Sequence, residues 1–150
     1  MDWTYKNQLL SDEMIPEKAI GFIYIITHNT SGKKYLGRKL LTKAHRRQKN
    51  NKIIKSRVQS DWRDYYSSSP FLIEMVEQEG KDNFTREVLY FVENKSALIY
   101  AEEKFQYVLG VLESDEWLNS NIRAKLFSRV VMKMDVEELN NTLTKLKGNS

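Results

Sequence analysis

A run of apolar, mostly β-branched residues, followed by a turn and a second short run, constrains the fold most. Gly21 to Thr27 reads Gly-Phe-Ile-Tyr-Ile-Ile-Thr and is predicted to be a buried strand, because such side chains fit a pleated surface. His28 to Gly32 is a turn cluster, and Lys33 to Lys39 has the character of a second short strand. Two strands joined by a short turn that contains glycine form a β-hairpin. We therefore predict a β-hairpin over residues 21–39.

Two further elements are predicted between residues 69 and 92. Ser69 and Pro70 are typical of a helix start, as N-cap and first helical residue, and Gly80 is typical of a helix end. Apolar residues then alternate along Phe84 to Val92 and predict a third strand. The three strands indicate a three-stranded antiparallel sheet.

Helix signals dominate the rest of the chain. Ser96 is predicted to cap one helix, and Asp135 is predicted to cap a last one that reaches about Lys147. The order β-β-α-β-α-α predicts a single α/β domain over residues 1–150, in which helices flank the sheet. Its core is expected at about 19–121, with a C-terminal helical extension at 122–150.

The basic residues are concentrated in one stretch of the chain. Between Glu17 and Asp61 there is no acid, and twelve of the 24 Lys and Arg residues lie there, so this stretch carries +12 and the remainder −8. Such segregation is typical of a surface that binds a polyanion. Residues 40–60 are basic and nearly aperiodic, and are predicted to form a long loop with a helical turn near Ile53 and Ile54.

Composition excludes several classes of protein and site. The chain has no cysteine, which excludes disulfides, cysteine-based zinc sites and a thiol nucleophile. No apolar run approaches the ~18 residues of a membrane span, and the first residues lack the layout of a secretory signal. The basic stretch lacks an amphipathic helix that would favour a lipid surface. We expect a cytoplasmic protein without a membrane partner.

The predicted hairpin places groups capable of phosphoryl chemistry on one surface. Because side chains alternate along a strand, Tyr35, Gly37 and Lys39 share one face while Arg38 points the other way. Tyr24 on the same side would add a second phenol. A phenol can orient or deprotonate a water molecule, and a fixed cation can stabilise phosphoryl charge. Tyrosines in strands also commonly serve packing alone.

These residues together resemble the signature of the GIY-YIG nucleases. Phe-Ile-Tyr ends at Tyr24, Tyr-Leu-Gly begins at Tyr35, and the spacing of eleven residues is that of the family. The resemblance extends over roughly residues 19–121. It implies the GIY-YIG fold and two catalytic tyrosines, Tyr24 and Tyr35.

A second block resembles the phage-type homing, Seg-like members of this family. Residues 61–69 read Asp-Trp-Arg-Asp-Tyr-Tyr-Ser-Ser-Ser, similar to the family block W-x-x-Y-x-G-S-S, with Ser67 in place of the usual glycine. In such members a tyrosine takes the place of a general-base histidine, which implicates Tyr65. Packing beside Trp62 is the alternative role for Tyr65.

The resemblance also implies a metal site. The family holds one divalent metal with a helix carboxylate, and aligning Gln106 with the family's glutamine selects Glu102, with Glu103 as the alternative. Few protein ligands suit Mg²⁺, which keeps much of its hydration shell, and Mn²⁺ is a plausible substitute. Trp-Leu-Asn at 117–119 resembles the family's Y-Y-N element, so Asn119 is implied to support the site, with helix capping as the alternative.

The catalytic cation departs from the family pattern. Most members carry an arginine about ten residues after the second tyrosine, and here that position falls at His45-Arg46-Arg47, inside the predicted basic loop. Lys39, Arg46, Arg57 and Arg63 are the candidates for this role. Strand geometry favours Lys39, because it shares a face with Tyr35.

The resemblance implies a Mg²⁺-dependent endonuclease that hydrolyses double-stranded DNA in the host cell, leaving 5′-phosphate and 3′-hydroxyl ends. Basic residues of the loop are expected to bind the DNA backbone: Arg46, Arg47, Lys49, Lys52, Lys55 and Arg57. The alternatives are a nucleic-acid-binding module that keeps the fold without cleavage, and a factor whose basic stretch docks an acidic protein. A homodimer would supply two active sites.

Overall fold

The computed structural model describes residues 2–123 and 126–148. These residues form nine strands and four α-helices, and six of the strands precede the first α-helix. In chain order they are β1 (Trp3–Tyr5), β2 (Gln8–Leu9), β3 (Gly21–His28), β4 (Lys34–Leu40), β5 (Thr42–Lys49), β6 (Lys52–Gln59), α1 (Pro70–Glu79), β7 (Phe84–Val92), α2 (Lys95–Val108), β8 (Asn121–Ile122), β9 (Leu126–Phe127), α3 (Ser128–Val131) and α4 (Val136–Gly148). The α/β class expected from the sequence is confirmed.

The main sheet has five strands in the order β2-β1-β7-β3-β4. Three adjacent members, β7, β3 and β4, are the predicted strands, and β3 pairs antiparallel with both β4 and β7. The expectation of a three-stranded, wholly antiparallel sheet is wrong, because β1 adds parallel to β7 and β2 turns back on β1. Strands of two and three residues are too short to show an alternating pattern.

Both faces of the sheet are covered. Phe22, Tyr24 and Ile26 point to one side, where Trp3, Trp62 and Leu72 complete a buried cluster under α1. Ile23 and Leu36 point to the other side, where Leu98 of α2, Val111 and Leu112 form a second cluster. A strand buried on both faces is apolar at nearly every position, which explains the unbroken run in β3.

The predicted basic loop at 40–60 is instead a regular hairpin, in which β5 and β6 pair antiparallel from Thr42↔Gln59 to Lys49↔Lys52. Ile53 and Ile54 lie in β6, so the predicted helical turn there is also wrong. The hairpin's turn is Asn50-Asn51, and both residues have positive φ (53° and 62°), as a tight hairpin turn requires. The strand signal was missing from the sequence because neither face of this hairpin is buried, so its side chains need not alternate.

Helix starts follow the predictions with one exception. The Ser69 side chain accepts a hydrogen bond from the Leu72 amide at the start of α1, and Gly80 ends that helix. Asp135 accepts from the Glu138 amide before α4. The cap of α2 is Asn94, which accepts from the Ala97 amide, and not Ser96, which lies inside the helix. Asparagine and serine are about equally good caps, so residue type alone could not decide between them.

The region expected to be a helical extension, 122–150, holds both helices and a short strand pair. β8 and β9 pair antiparallel before α3 and α4. Residues 124–125 and 149–150 of this extension lie outside the described residues. No helix among the described residues is long and apolar enough to cross a membrane.

Candidate active site

Tyr24 is buried between the sheet and the segment that precedes α1. It is 1% exposed, and it pairs across the ladder with Gly37 of β4. A Cβ atom at position 37 would lie 2.6 Å from the Tyr24 Cζ atom, so the glycine makes room for the phenol. Burial, followed by the neighbouring phenols of Tyr65 and Tyr35, raises the pKa of Tyr24 well above its ordinary value. Tyr24 is therefore a neutral phenol at physiological pH.

Tyr65 and Lys39 lie together beside Tyr24. The Tyr65 ring is 6.0 Å from the Tyr24 ring, edge to face, and the Lys39 Nζ atom lies 4.0 Å above the Tyr65 ring centroid. Lys39 also forms an ion pair of 2.5 Å with the exposed Asp61 carboxylate, which lowers the pKa of Asp61. The predicted placement of Lys39 on the tyrosine face of β4 is confirmed.

A buried arginine holds the Tyr65 segment in place. Arg86 of β7 is 3% exposed, and its Nη1 atom donates to the backbone carbonyls of Arg63 and Tyr65, both at 2.9 Å. Its guanidinium also stacks on the rings of Trp3 and Tyr66. The sequence showed Arg86 only as a strand residue, and no motif marked its role.

Next to these residues a cleft of about 480 Å³ opens around the outer edge of β4. Tyr35, Ser68 and Ser69 line one side of this cleft, and Arg38 and Glu102 line another. Burial raises the pKa of Tyr35, and hydrogen bonds with Ser67 and Ser68 lower it in part. The cleft therefore brings a phenol and a carboxylate to one space.

Glu102 and Glu103 both line the cleft, and their side chains are similarly exposed, at 20% and 22%, but their cation partners differ. Burial is the largest effect on Glu102 and raises its pKa, while Arg38, whose Nε atom lies 3.7 Å from the carboxylate, lowers it in part. Glu103 forms an ion pair with Arg123 on the surface. A partly buried carboxylate whose one cation lies 3.7 Å away suits a bound metal ion better than a carboxylate that is already closely paired.

Asn119 closes the edge of β4. Its Oδ1 atom accepts from the Leu36 amide (2.9 Å) and its Nδ2 atom donates to the Leu36 carbonyl (2.8 Å), as a neighbouring strand would. The backbone of Glu116 and Leu118 pairs with Lys34 in the same way. Both polar groups of the Asn119 amide are thus engaged with the backbone of β4, so the residue lines the cleft with its amide already paired.

A family model described as "Putative endonuclease segE, GIY-YIG domain" matches residues 3–122. The chain belongs to the Seg-like GIY-YIG endonuclease family. No curated protein and no solved structure matched the chain. Membership implies an endonuclease with a DNA substrate, and the matched residues hold β1 to β8 with both catalytic-motif strands.

The GIY-YIG residues fall into two adjacent groups. Tyr35 and Glu102 line the cleft, while Tyr24, Tyr65 and Lys39 form the cluster behind it, joined to the cleft through the 6.4 Å contact between the rings of Tyr24 and Tyr35. Neither Arg46 nor Arg57, both in the β5–β6 hairpin, lines the cleft. Arg63 pairs with Asp12 and stacks on Trp62, also away from it.

Arg38 is the site residue that sequence reasoning missed. Strand alternation correctly placed it on the face opposite Tyr35, where it meets Glu102. However, β4 is an edge strand, and the cleft wraps around that edge, so side chains from both of its faces reach one cavity. The Tyr-Leu-Gly-Arg sequence at 35–38 was the available signal.

Proposed function

We propose that this protein is a Mg²⁺-dependent endonuclease of the homing, site-preferring kind, which hydrolyses phosphodiester bonds of double-stranded DNA. The observation that carries the proposal is the single cleft in which Tyr35 of the second motif and the half-buried Glu102 face a common space. The family defines the reaction class, and this geometry supplies a phenol, a carboxylate and a guanidinium where a phosphate would bind.

The donor set fits a lightly ligated divalent cation. No cluster of three or more metal-ligating side chains occurs among the residues that the structure describes, so a fully protein-built cage is absent there. Mg²⁺ requires only one or two carboxylates and completes its shell with water and phosphate oxygens. Glu102 would hold it, and Mn²⁺ could replace it. Bound there, the ion would neutralise charge on the phosphate and on the leaving 3′-oxygen.

The remaining residues orient the reactants. Tyr35, a phenol whose raised pKa keeps it neutral over a wider pH range, accepts a hydrogen bond from the attacking water and fixes its direction toward phosphorus. Tyr65, closer to the surface than Tyr24, is the second candidate for this task. The fully buried Tyr24 positions both phenols. Lys39 and Arg38 supply positive charge for the phosphoryl oxygens.

Cleavage of supercoiled plasmid DNA in Mg²⁺, with the product ends sequenced, tests the proposal. The wild type is expected to cut and to leave 5′-phosphates. Glu102→Gln is expected to lower the rate at least about 100-fold, a loss typical of a removed electrostatic group, while binding in EDTA stays intact. Glu103→Gln is the matched control and should retain most activity, because Glu103 is already paired with Arg123. Equal losses in both variants, or no Mg²⁺-dependent cutting by the wild type, would contradict the proposal.

One observation favours a second candidate, a DNA-binding module without cleavage. The position at which most family members carry the catalytic arginine falls at Arg46 in the exposed hairpin, away from the cleft. DNA binding without Mg²⁺-dependent cutting on a large mixed DNA would establish this second candidate.

A further inference from the structure

The β5–β6 hairpin is a strongly charged element whose basic side chains form no ion pair among the described residues. Its residues 42–59 include seven Lys or Arg and no acid. Almost all of its side chains are exposed, among them Ile53 at 67%. This exposed charge is therefore available to an anionic partner.

The strand register concentrates like charges across the hairpin. Arg46 lies directly opposite Lys55, and Lys49 lies directly opposite Lys52. Like charges in opposed positions destabilise a strand pair. The repulsion between these paired cations would be relieved if phosphates lay on both sides of the hairpin. The two walls of a DNA groove place phosphates in that arrangement.

The dimensions of the hairpin fit only one of the grooves of a nucleic-acid duplex, the major groove of B-DNA. Two strands of eight residues form a ribbon about 26 Å long, with strands about 4.8 Å apart before side chains are added. The major groove of B-DNA, about 12 Å wide, admits such a ribbon, and the minor groove, about 6 Å wide, does not. The deep, narrow major groove of duplex RNA excludes it as well.

The two faces of the ribbon differ in chemistry. One face, here called the Arg46 face, holds Arg46, Gln48 and Ile53 together with Lys55 and Arg57. The other, the Arg47 face, holds Arg47, Lys49 and Lys52 together with Lys43 and Ile54. Arginine pairs with the edge of guanine, glutamine with that of adenine, and an apolar side chain contacts the thymine methyl group. Lysine is typical of phosphate contact, and three of the four basic residues on the Arg47 face are lysines, against one of three on the Arg46 face.

Hydrogen bonds at the base of the hairpin fix its position relative to the core. At its base, Leu41 is 5% exposed and its amide donates to the Ile20 carbonyl. Ser60 binds the carbonyls of Leu40 and Leu41 through its side chain and its amide. Arg57 donates to the side chain and the backbone carbonyl of Thr42 across the two strands. The ribbon therefore extends from the core as a fixed arm.

We propose that this hairpin enters the major groove of duplex DNA with its Arg46 face toward the base edges, and that Arg46 and Gln48 determine sequence preference. The proposal rests on the proposed function for the choice of DNA as partner. It adds a base-reading element to a domain whose cleft, by itself, offers only phosphate chemistry.

Arg46 and Arg47 provide a matched test, because they are adjacent, identical and on opposite faces. The full-length chain is allowed to bind a library of randomised DNA duplexes in EDTA, so that cleavage plays no part. Arg46→Ala is expected to reduce discrimination at one base pair by about 5- to 150-fold. Arg47→Ala is expected to weaken binding to all sequences alike and to leave the preference unchanged.

Several results would overturn the proposal. These are identical behaviour of the two variants, the reverse assignment of faces, or equal competition by duplex RNA. A minor-groove ligand that displaces the protein, while a major-groove ligand does not, would do the same. Because binding is measured without metal, failure here leaves the cleavage proposal standing, and a protein that reads DNA without cutting it would leave this proposal standing.

Discussion

At the scale of single residues, Gly37 determines how the two motif strands meet. Its missing side chain is the space that the Tyr24 phenol occupies. Gly37→Ala is expected to lower the free energy of unfolding by about 1–3 kcal/mol, because overpacking a filled site forces neighbours to move. Urea denaturation measures this loss. Gly148→Ala, where an added Cβ meets nothing within 4 Å, is the control, and equal stability of the two variants would contradict the prediction.

The ionised Glu102 carboxylate is expected to lower the free energy of unfolding of the metal-free protein at neutral pH. Burial raises its pKa in the folded protein, so it favours folding while protonated, and that contribution is lost as the pH rises through the folded-state pKa. At neutral pH, Glu102→Gln is therefore expected to stabilise the metal-free protein, by at most about 1–2 kcal/mol. The gain should vanish at about pH 4, near the ordinary carboxyl range.

Denaturation of both proteins at the two pH values checks this prediction. Glu103→Gln should show no such gain, since its carboxylate is paired with Arg123 on the surface. A Glu102→Gln variant that is less stable than the wild type at neutral pH would show that the Arg38 pair outweighs the cost of burial.

At the scale of elements, the start of α2 gives different roles to two nearby polar residues, Asn94, which caps the helix, and Ser96, which lies within it. Asn94→Ala is expected to cost about 1 kcal/mol of stability, because the Ala97 amide loses its acceptor. Ser96→Ala should change stability little, since Ser96 lies within the helix. Thermal melts of the two variants provide the comparison, and a larger loss for Ser96→Ala would return the cap to the position expected from the sequence.

The elements that the sequence predicted are those whose side chains carry a burial pattern. β7 and α1 each pack a periodic set of apolar residues against the core, β3 packs an unbroken apolar run, and their bounds followed from these patterns. The β5–β6 hairpin buries neither face, so only the Asn50-Asn51 turn could have indicated it. Its strands are specified by their turn and by Leu41 and Ser60 at the base.

Some residues of the candidate site could be predicted from the sequence and others could not. Tyr24, Tyr35 and Glu102 followed from motifs, since the family fixes their spacing along the chain. The roles of Arg38 and Arg86 did not follow from any motif, because they depend on contacts in space. Arg38 reaches a cleft that bends around the edge of β4. Arg86 binds a loop that lies more than twenty residues away in sequence. A spacing pattern contains no information on either contact.

At the scale of the whole molecule, the described chain presents one cleft in which a motif tyrosine meets the family glutamate. One such cleft cuts one strand per encounter, so nicked circles are expected to accumulate before linear DNA when supercoiled plasmid is digested in Mg²⁺. Gel analysis over a series of protein concentrations measures this order. Direct linearisation at every concentration would instead indicate paired sites in a homodimer.

The amide of Asn119 has a consequence for the order in which the candidate site forms during synthesis. It completes the edge of β4 from a position 83 residues further along the chain. Synthesis proceeds from the N-terminus, and such a distant contact forms only after the intervening residues have emerged. A nascent chain that already displays its basic arm and both motif tyrosines thus still lacks the residue that closes its cleft. On the proposed function, the arm that binds DNA is therefore complete during synthesis before the site that would cut it.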